Sequence, residues 1–159
     1  MEAQKKGFTE PDPREDLNGM DVSRKLLILA RESGYPLEME NIDLHSFLPE
    51  ECLKATSVED FYVKLQSYDN YFAAKRSAAQ REGKVLRFIA QFENGKGCVS
   101  LQAVSAEHPF YHLSGSDNIV AITSNFYREN PLVIKGQGAG AEVTSGKVFG
   151  DIIRLVHSS

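Results

Sequence analysis

Lys84-Val-Leu-Arg-Phe-Ile-Ala-Gln-Phe-Glu-Asn-Gly-Lys-Gly-Cys-Val-Ser-Leu-Gln-Ala-Val104 alternates apolar and polar residues about a turn signal. Leu86, Phe88, Ala90 and Phe92 fall on one face and Arg87, Gln91 and Glu93 on the other, a period of two that only a strand has. Asn94-Gly95 marks a hairpin, and Cys98 to Val104 supplies the return strand. Upstream, Ser57 is placed to cap a helix. Val58, Phe61, Tyr62, Leu65 and then Tyr71, Phe72 and Ala79 keep helical spacing up to Gly83, with a break near Tyr68-Asp-Asn70. Ile42, Leu44 and residues 46–48 read as a short strand ending at Pro49. Downstream, a loop from Ser105 to Asn118 leads to two β-rich runs, Ile119 to Phe126 and Leu132 to Lys135. A last helix is expected over 140–157, with Val143, Phe149, Ile152, Ile153 and Val156 as its apolar face. Strands joined by hairpins, with helices before and after them, predict an α+β fold: an antiparallel or mixed sheet with helices packed on one face.

The 159 residues match one ordinary domain, 1–159, long enough to bury a core. A formal net charge of −4 without a basic run argues against nucleic acid or an anionic membrane as the main partner. No apolar run approaches the ~20 residues of a membrane span, and the first residues lack a signal peptide's apolar core. Cys52 and Cys98 have neither metal-ligand spacing nor a framework of pairs, so two buried thiols in a reducing cytoplasm are expected.

Charge concentrates in the opening stretch, Gly7-Phe-Thr-Glu-Pro-Asp-Pro-Arg-Glu-Asp-Leu-Asn-Gly-Met-Asp-Val-Ser-Arg-Lys25. Pro11 and Pro13 push the residues before them toward extended geometry, which predicts a rigid non-helical loop carrying Glu10, Asp12, Glu15 and Asp16. Asn18 is a good N-cap for the helix that follows. Val22, Leu26 and Leu29 share a face of that helix, and Gly34 stops it. Asp21 and Lys25 then pair at i,i+4, on a face pointing toward the acidic loop. A capped helix with solvated charges explains these features as well as a site does.

The whole string resembles the substrate-site motif of the homoserine dehydrogenases, with Phe8 in place of the family's tyrosine and Glu15 in place of an aspartate. Pro109-Phe-Tyr-His-Leu-Ser-Gly-Ser-Asp-Asn118, Pro131-Leu-Val-Ile-Lys-Gly-Gln-Gly-Ala-Gly-Ala-Glu-Val-Thr144 and Val148-Phe-Gly-Asp-Ile-Ile-Arg154 resemble the family's closing segments, in detail those of the bifunctional form fused behind an aspartate kinase. The resemblance implies an NAD- or NADP-dependent oxidoreductase of threonine and methionine biosynthesis that interconverts L-homoserine and L-aspartate 4-semialdehyde. The piece expected here is its catalytic, substrate-binding domain. The Rossmann portion would precede it, and the fragment alone would be inactive. The resemblance also implies the roles. Glu10 would bind the substrate ammonium and Asp16 its polar end. Lys25 would be the acid/base that moves the hydroxyl proton, with Asp21 orienting it, and Gly7 and Gly140 would lie against the cofactor. It further implies a homodimer joined through the sheet, which leaves a non-catalytic assembly module as the alternative.

Gly136-Gln-Gly-Ala-Gly-Ala141 can be forced into a dinucleotide fingerprint, but a Rossmann site needs a further strand and an acidic residue roughly 20 positions on. His108 and His112 are four apart with Pro109 between them and no third ligand, so no metal site is expected. His45 and His157 are expected to carry no chemistry. Lys135 and Arg24 could pair with carboxylates or phosphates, or face solvent.

Overall fold

In the computed structural model, residues 11–115, 117–138 and 140–157 are described. In chain order their elements are α1 (Pro13–Leu17), α2 (Met20–Glu32), a 3₁₀ turn (Met39–Asn41), β1 (Ile42–Leu44), α3 (Glu50–Leu53), α4 (Val58–Ser67), α5 (Asp69–Arg81), β2 (Val85–Glu93), β3 (Lys96–Val104), β4 (Asp117–Ile122), β5 (Leu132–Gln137) and α6 (Ala141–His157). The fold is α+β, and the chain divides into two compact units, one up to Ser105 and one from Ala106. Its strands divide likewise, into a three-stranded sheet ordered β1-β3-β2 and a two-stranded sheet of β4 and β5.

In the first unit Asn94 and Gly95 both take positive φ, 51° and 79°, which matches the twist of a two-residue hairpin. The register follows without a slip, with Glu93 opposite Lys96 and Val85 opposite Val104. Leu86, Phe88, Ala90 and Phe92 therefore share a face with Gly97, Val99 and Leu101. β1 joins β3 in parallel, Ile42 beside Gly97 and Leu44 beside Val99, which adds two more apolar residues to that face. The helix α2 packs here, burying Leu26 and Ala30 with Leu37, Ile42 and Val99. A second cluster, Leu48, Cys52, Ala55 and Phe61, lies among α3, α4 and the segments flanking them. The rings of Phe47 and Phe88, centroids 5.1 Å apart and edge to face, join the two clusters.

Local signals placed most boundaries. Ser57 caps α4 by accepting the Asp60 N–H (3.1 Å), and Tyr68 separates α4 from α5. Gly34, at φ 88°, ends α2: its N–H donates to the Arg31 carbonyl (2.9 Å) and the Tyr35 N–H to the Ala30 carbonyl (3.1 Å). Three expectations about strand ends and thiol burial need correcting. The first strand stops at Leu44, because after the His45 N–H donates to Val99 (2.8 Å) the Ser46 hydroxyl captures the Leu48 N–H (3.1 Å) and turns the chain away. β4 stops at Ile122, because Ser124 and Tyr127 bond each other's backbones in a turn that leaves Phe126 93% exposed. Cys98 is only partly buried, whereas Cys52 is fully so.

In the second unit β4 and β5 pair antiparallel, with Asp117 opposite Gln137 and Ile122 opposite Leu132. The apolar face expected of α6 is present but largely uncovered, since Phe149, Ile152, Ile153 and Val156 are exposed and Val143 is half-buried. Among the described residues no helix is long and apolar enough to cross a membrane.

Candidate functional site

The Asp12-Pro13-Arg14 sequence makes its own turn. Asp12 caps α1 by accepting the Arg14 N–H at 2.9 Å, and Pro13 at the first helical position has no N–H to leave unpaired. Residues 13–17 are therefore helical and not the extended loop expected, which puts Glu15 and Asp16 on a short helix. The Arg14 guanidinium folds back on the same carboxylate, with Nε 2.9 and 3.0 Å from the two oxygens, and also donates to the Ala55 carbonyl. That pairing holds the Asp12 carboxyl below its ordinary range. Leu17 packs on the Phe61 cluster and Pro13 is buried, so α1 is fastened at three points.

Two residues then redirect the chain. Asn18 does not cap α2 as expected; it ends α1, and its Oδ1 accepts the Met20 N–H at 2.8 Å. Gly19 is the N-cap, at φ 84°. A Cβ there would lie 2.7 Å from Leu44 Cδ1 and 2.9 Å from Phe88 Cζ, so both backbone conformation and space demand glycine. The Ser23 hydroxyl, buried at 1% exposure, donates to the Gly19 carbonyl at 2.9 Å. One turn on, Leu26 lies over Gly97, where a Cβ would meet Leu26 Cδ2 at 3.2 Å and Ile42 Cγ1 at 2.9 Å. The first two turns of α2 are thus pressed onto the sheet by glycines on both sides of the contact.

With that face fixed, Asp21 and Lys25 stand on the opposite one. Their carboxylate and ammonium are 2.8 Å apart, and both side chains are more than half exposed (58% and 55%). Asp16 is exposed on α1. Gly7 and Glu10 lie outside the described residues. The structure therefore brings Asp21 and Lys25 together on a rigid support and leaves them accessible. Arg14, Gly19 and Ser23 were missed as supporting residues. The Asn18-Gly19 dipeptide is itself a turn signal that could have revealed the second of them.

In the second unit, Gly140 precedes α6 at φ 124°, a conformation reserved for glycine, and a Cβ there would meet nothing within 4 Å. Gly138 has a different reason: a Cβ would strike the Asn118 side chain at 2.0 Å, so the hairpin's own packing requires it. The open backbone at Gly140, at the start of a 17-residue helix, suits approach by a ribose or phosphate edge. Among the described residues this loop does not follow a parallel strand as a Rossmann loop does: β5 before it pairs antiparallel, and the only parallel pair is β1 with β3.

The remaining candidates make local contacts or face solvent. His108 Nδ1 accepts the Phe110 N–H (3.1 Å) in a turn around Pro109, and the His112 ring lies edge-on to Tyr111. His45 pairs with Asp43 (2.9 Å) and Lys135 with Asp117 (3.3 Å), while Arg24 and His157 are exposed. Among the described residues no group of three or more His, Cys, Asp or Glu could hold a metal.

A homoserine dehydrogenase family profile matches residues 1–153. The chain is 49% identical to a bifunctional aspartokinase/homoserine dehydrogenase of Arabidopsis thaliana, a chloroplastic protein, over 97% of its own length and 17% of that protein's. It is 43% identical to the homoserine dehydrogenase of Schizosaccharomyces pombe, over 97% of itself and 42% of that enzyme. A solved structure of a Candida auris protein of unknown function superposes with a TM-score of 0.87 and 39% identity, covering 98% of this chain and 44% of that one. The chain thus spans less than half the length of each of these relatives.

Proposed function

Because this chain belongs to the homoserine dehydrogenase family, we propose that it is the catalytic, substrate-binding part of an enzyme that interconverts L-homoserine and L-aspartate 4-semialdehyde. The observation that carries the reading is the Asp21–Lys25 pair, 2.8 Å apart on the open face of a helix whose other face is locked to the sheet. Such a lysine can serve as a proton carrier held in place by its carboxylate. In the oxidising direction the Lys25 amine takes the proton from the substrate hydroxyl as hydride leaves the same carbon, and in reverse the ammonium returns it. NAD or NADP, when bound, would supply the hydride acceptor. Gly140, and Gly7 in the segment outside the described residues, would lie against it. Glu10 would pair with the substrate ammonium and Asp16 would hold its polar end. The main cofactor-binding portion is then a part of the relatives' greater length that this chain does not span, and the chain alone is inactive.

The test uses the complete enzyme that contains this chain. Lys25→Ala should lower kcat by on the order of 10²–10⁴ with a smaller change in KM, because a positioned proton carrier acts mainly in the transition state. Glu10→Gln should chiefly raise KM, since an ammonium contact is much the same in ground and transition states. Near-normal kcat in the Lys25 variant would reduce the pair to a helix-stabilising ion pair.

Assembly is a second role, favoured by the apolar surface on β5, where Leu132, Val133 and Ile134 are all exposed. We propose a homodimer joined through the strands. Light scattering at tens of micromolar should report twice the chain mass, and a monomer would remove the idea. A reducing compartment such as the cytoplasm suits the two unpaired thiols.

A further inference from the structure

On the first unit, away from Asp21 and Lys25 in sequence, a half-open groove of about 430 Å³ lies between α5 and the start of β2. Its floor is apolar, with Phe47, Phe72 and Leu101, while Arg76, Lys84 and Arg87 stand along it and no carboxylate lines it. In a chain whose net charge is −4, Arg76 and Lys84 beside an apolar floor are a local reversal of sign. Lys84 is partly neutralised by Glu82, 2.8 Å away, but Arg76, exposed on α5, has no ion pair among the described residues. The floor is preformed: Phe72 packs on the buried Phe61 cluster, and Phe47 is braced by the ring of Phe88.

From this we infer a binding site for a small amphipathic carboxylate, an apolar or aromatic body seated on Phe47, Phe72 and Leu101 with its anionic end toward Arg76. The volume falls within the range of small-molecule sites, about 300–1,000 Å³, in which an apolar lining supplies contact and a few polar groups fix orientation. A multiply charged phosphate would leave the apolar floor unused. A zwitterionic amino acid would bring an ammonium toward the same cations. A singly charged acid with an apolar body meets both halves of the lining.

The experiment is an amide-resolved NMR titration of the chain with 3-phenylpropionate, set beside its neutral isostere 3-phenylpropionamide. The acid should give saturable shifts confined to the neighbourhoods of Phe47, Phe72, Arg76 and Leu101 and to residues 80–87, and the amide should bind on the order of tenfold more weakly, the usual size of one lost charge-assisted contact. Arg76→Glu, an exposed change that leaves the rest of the spectrum in place, should weaken the acid by a similar factor and leave the amide unchanged. Equal affinity for acid and amide would overturn the proposal, as would the absence of saturable shifts at millimolar probe. Shifts of these same residues on diluting the protein without probe would also overturn it, since they would mark a second copy as the occupant.

Discussion

The two units of this chain are built to opposite standards. In residues 11–105 every helix longer than a turn has a face against something: twelve apolar residues are buried, from Leu26 to Val104, and Phe61, Val99 and Cys52 are fully enclosed. In the described residues from 106 onward no apolar side chain reaches that burial, although α6 and β5 carry Phe149, Ile152, Leu155 and Ile134. A two-stranded hairpin and one amphipathic helix cannot enclose a core by themselves. The first unit is a finished support and the second is half of a packing arrangement. The proposed chemistry follows the same division. The proton-carrying pair proposed above sits on the finished unit, on a helix locked to its sheet, and Gly140, proposed to lie against the cofactor, sits on the other.

The sharpest way to break this comparison is to delete one large side chain from each unit. Phe61→Ala removes a fully enclosed ring and should cost roughly 3–5 kcal/mol in urea denaturation of the chain. Ile152→Ala, at a position 52% exposed, should cost less than about 0.5 kcal/mol in the same measurement. Equal losses would mean that α6 is buried in the molecule as it exists in solution, and would move the second unit into the finished class.

A smaller effect is expected at the joint that carries the site. Gly19→Ala puts a methyl group within 2.7 Å of Leu44 and 2.9 Å of Phe88 and holds a non-glycine residue at φ 84°. The cost should be about 1–3 kcal/mol, from overpacking and backbone strain together. Because Gly19 begins the helix bearing Asp21 and Lys25, the same change in the complete enzyme should lower kcat as well as stability. A stability loss with kcat intact would mean that α2 keeps its place without the glycine.

Local rules made most of this legible from sequence. The alternation of 85–93 with Asn94-Gly95 fixed the hairpin and its register, and Ser57 and Gly34 marked helix ends, because each acts through atoms within a few residues of itself. What sequence left hidden was decided at longer range. Asn18-Gly19 announces a turn, but the crowding that also demands glycine, of Gly19 by Leu44 and Phe88 and of Gly97 by Leu26 and Ile42, comes from residues that arrive from elsewhere in the chain. The short helix α1 is hidden in sequence because Pro11 and Pro13 suggest extended chain, while Pro13 in fact opens a helical turn that Asp12 caps and Arg14 braces. The Asp21–Lys25 pair was legible from spacing, but its accessibility was not: that depends on which face of α2 the sheet takes.

The smallest expected effect concerns that same turn and its pH dependence. Arg14 holds the Asp12 carboxyl below the ordinary value of 3.8, so the folded state binds a proton there less readily than the unfolded chain does. A group with a depressed folded pKa contributes stability that is present above its unfolded value and is lost as pH falls through the folded value. The contribution is therefore intact at neutral pH and fades below about pH 4. Asp12→Asn keeps an oxygen to accept the Arg14 N–H but cannot titrate. The difference in Tm between the unmodified chain and this variant should be constant from pH 7 down to about 5 and should shrink below 4. Since the carboxylate is partly exposed, the difference should also diminish in high salt. A difference that stays level through the acid range would show that the turn is held by its hydrogen-bond geometry and by Pro13, with the charge on Asp12 adding nothing.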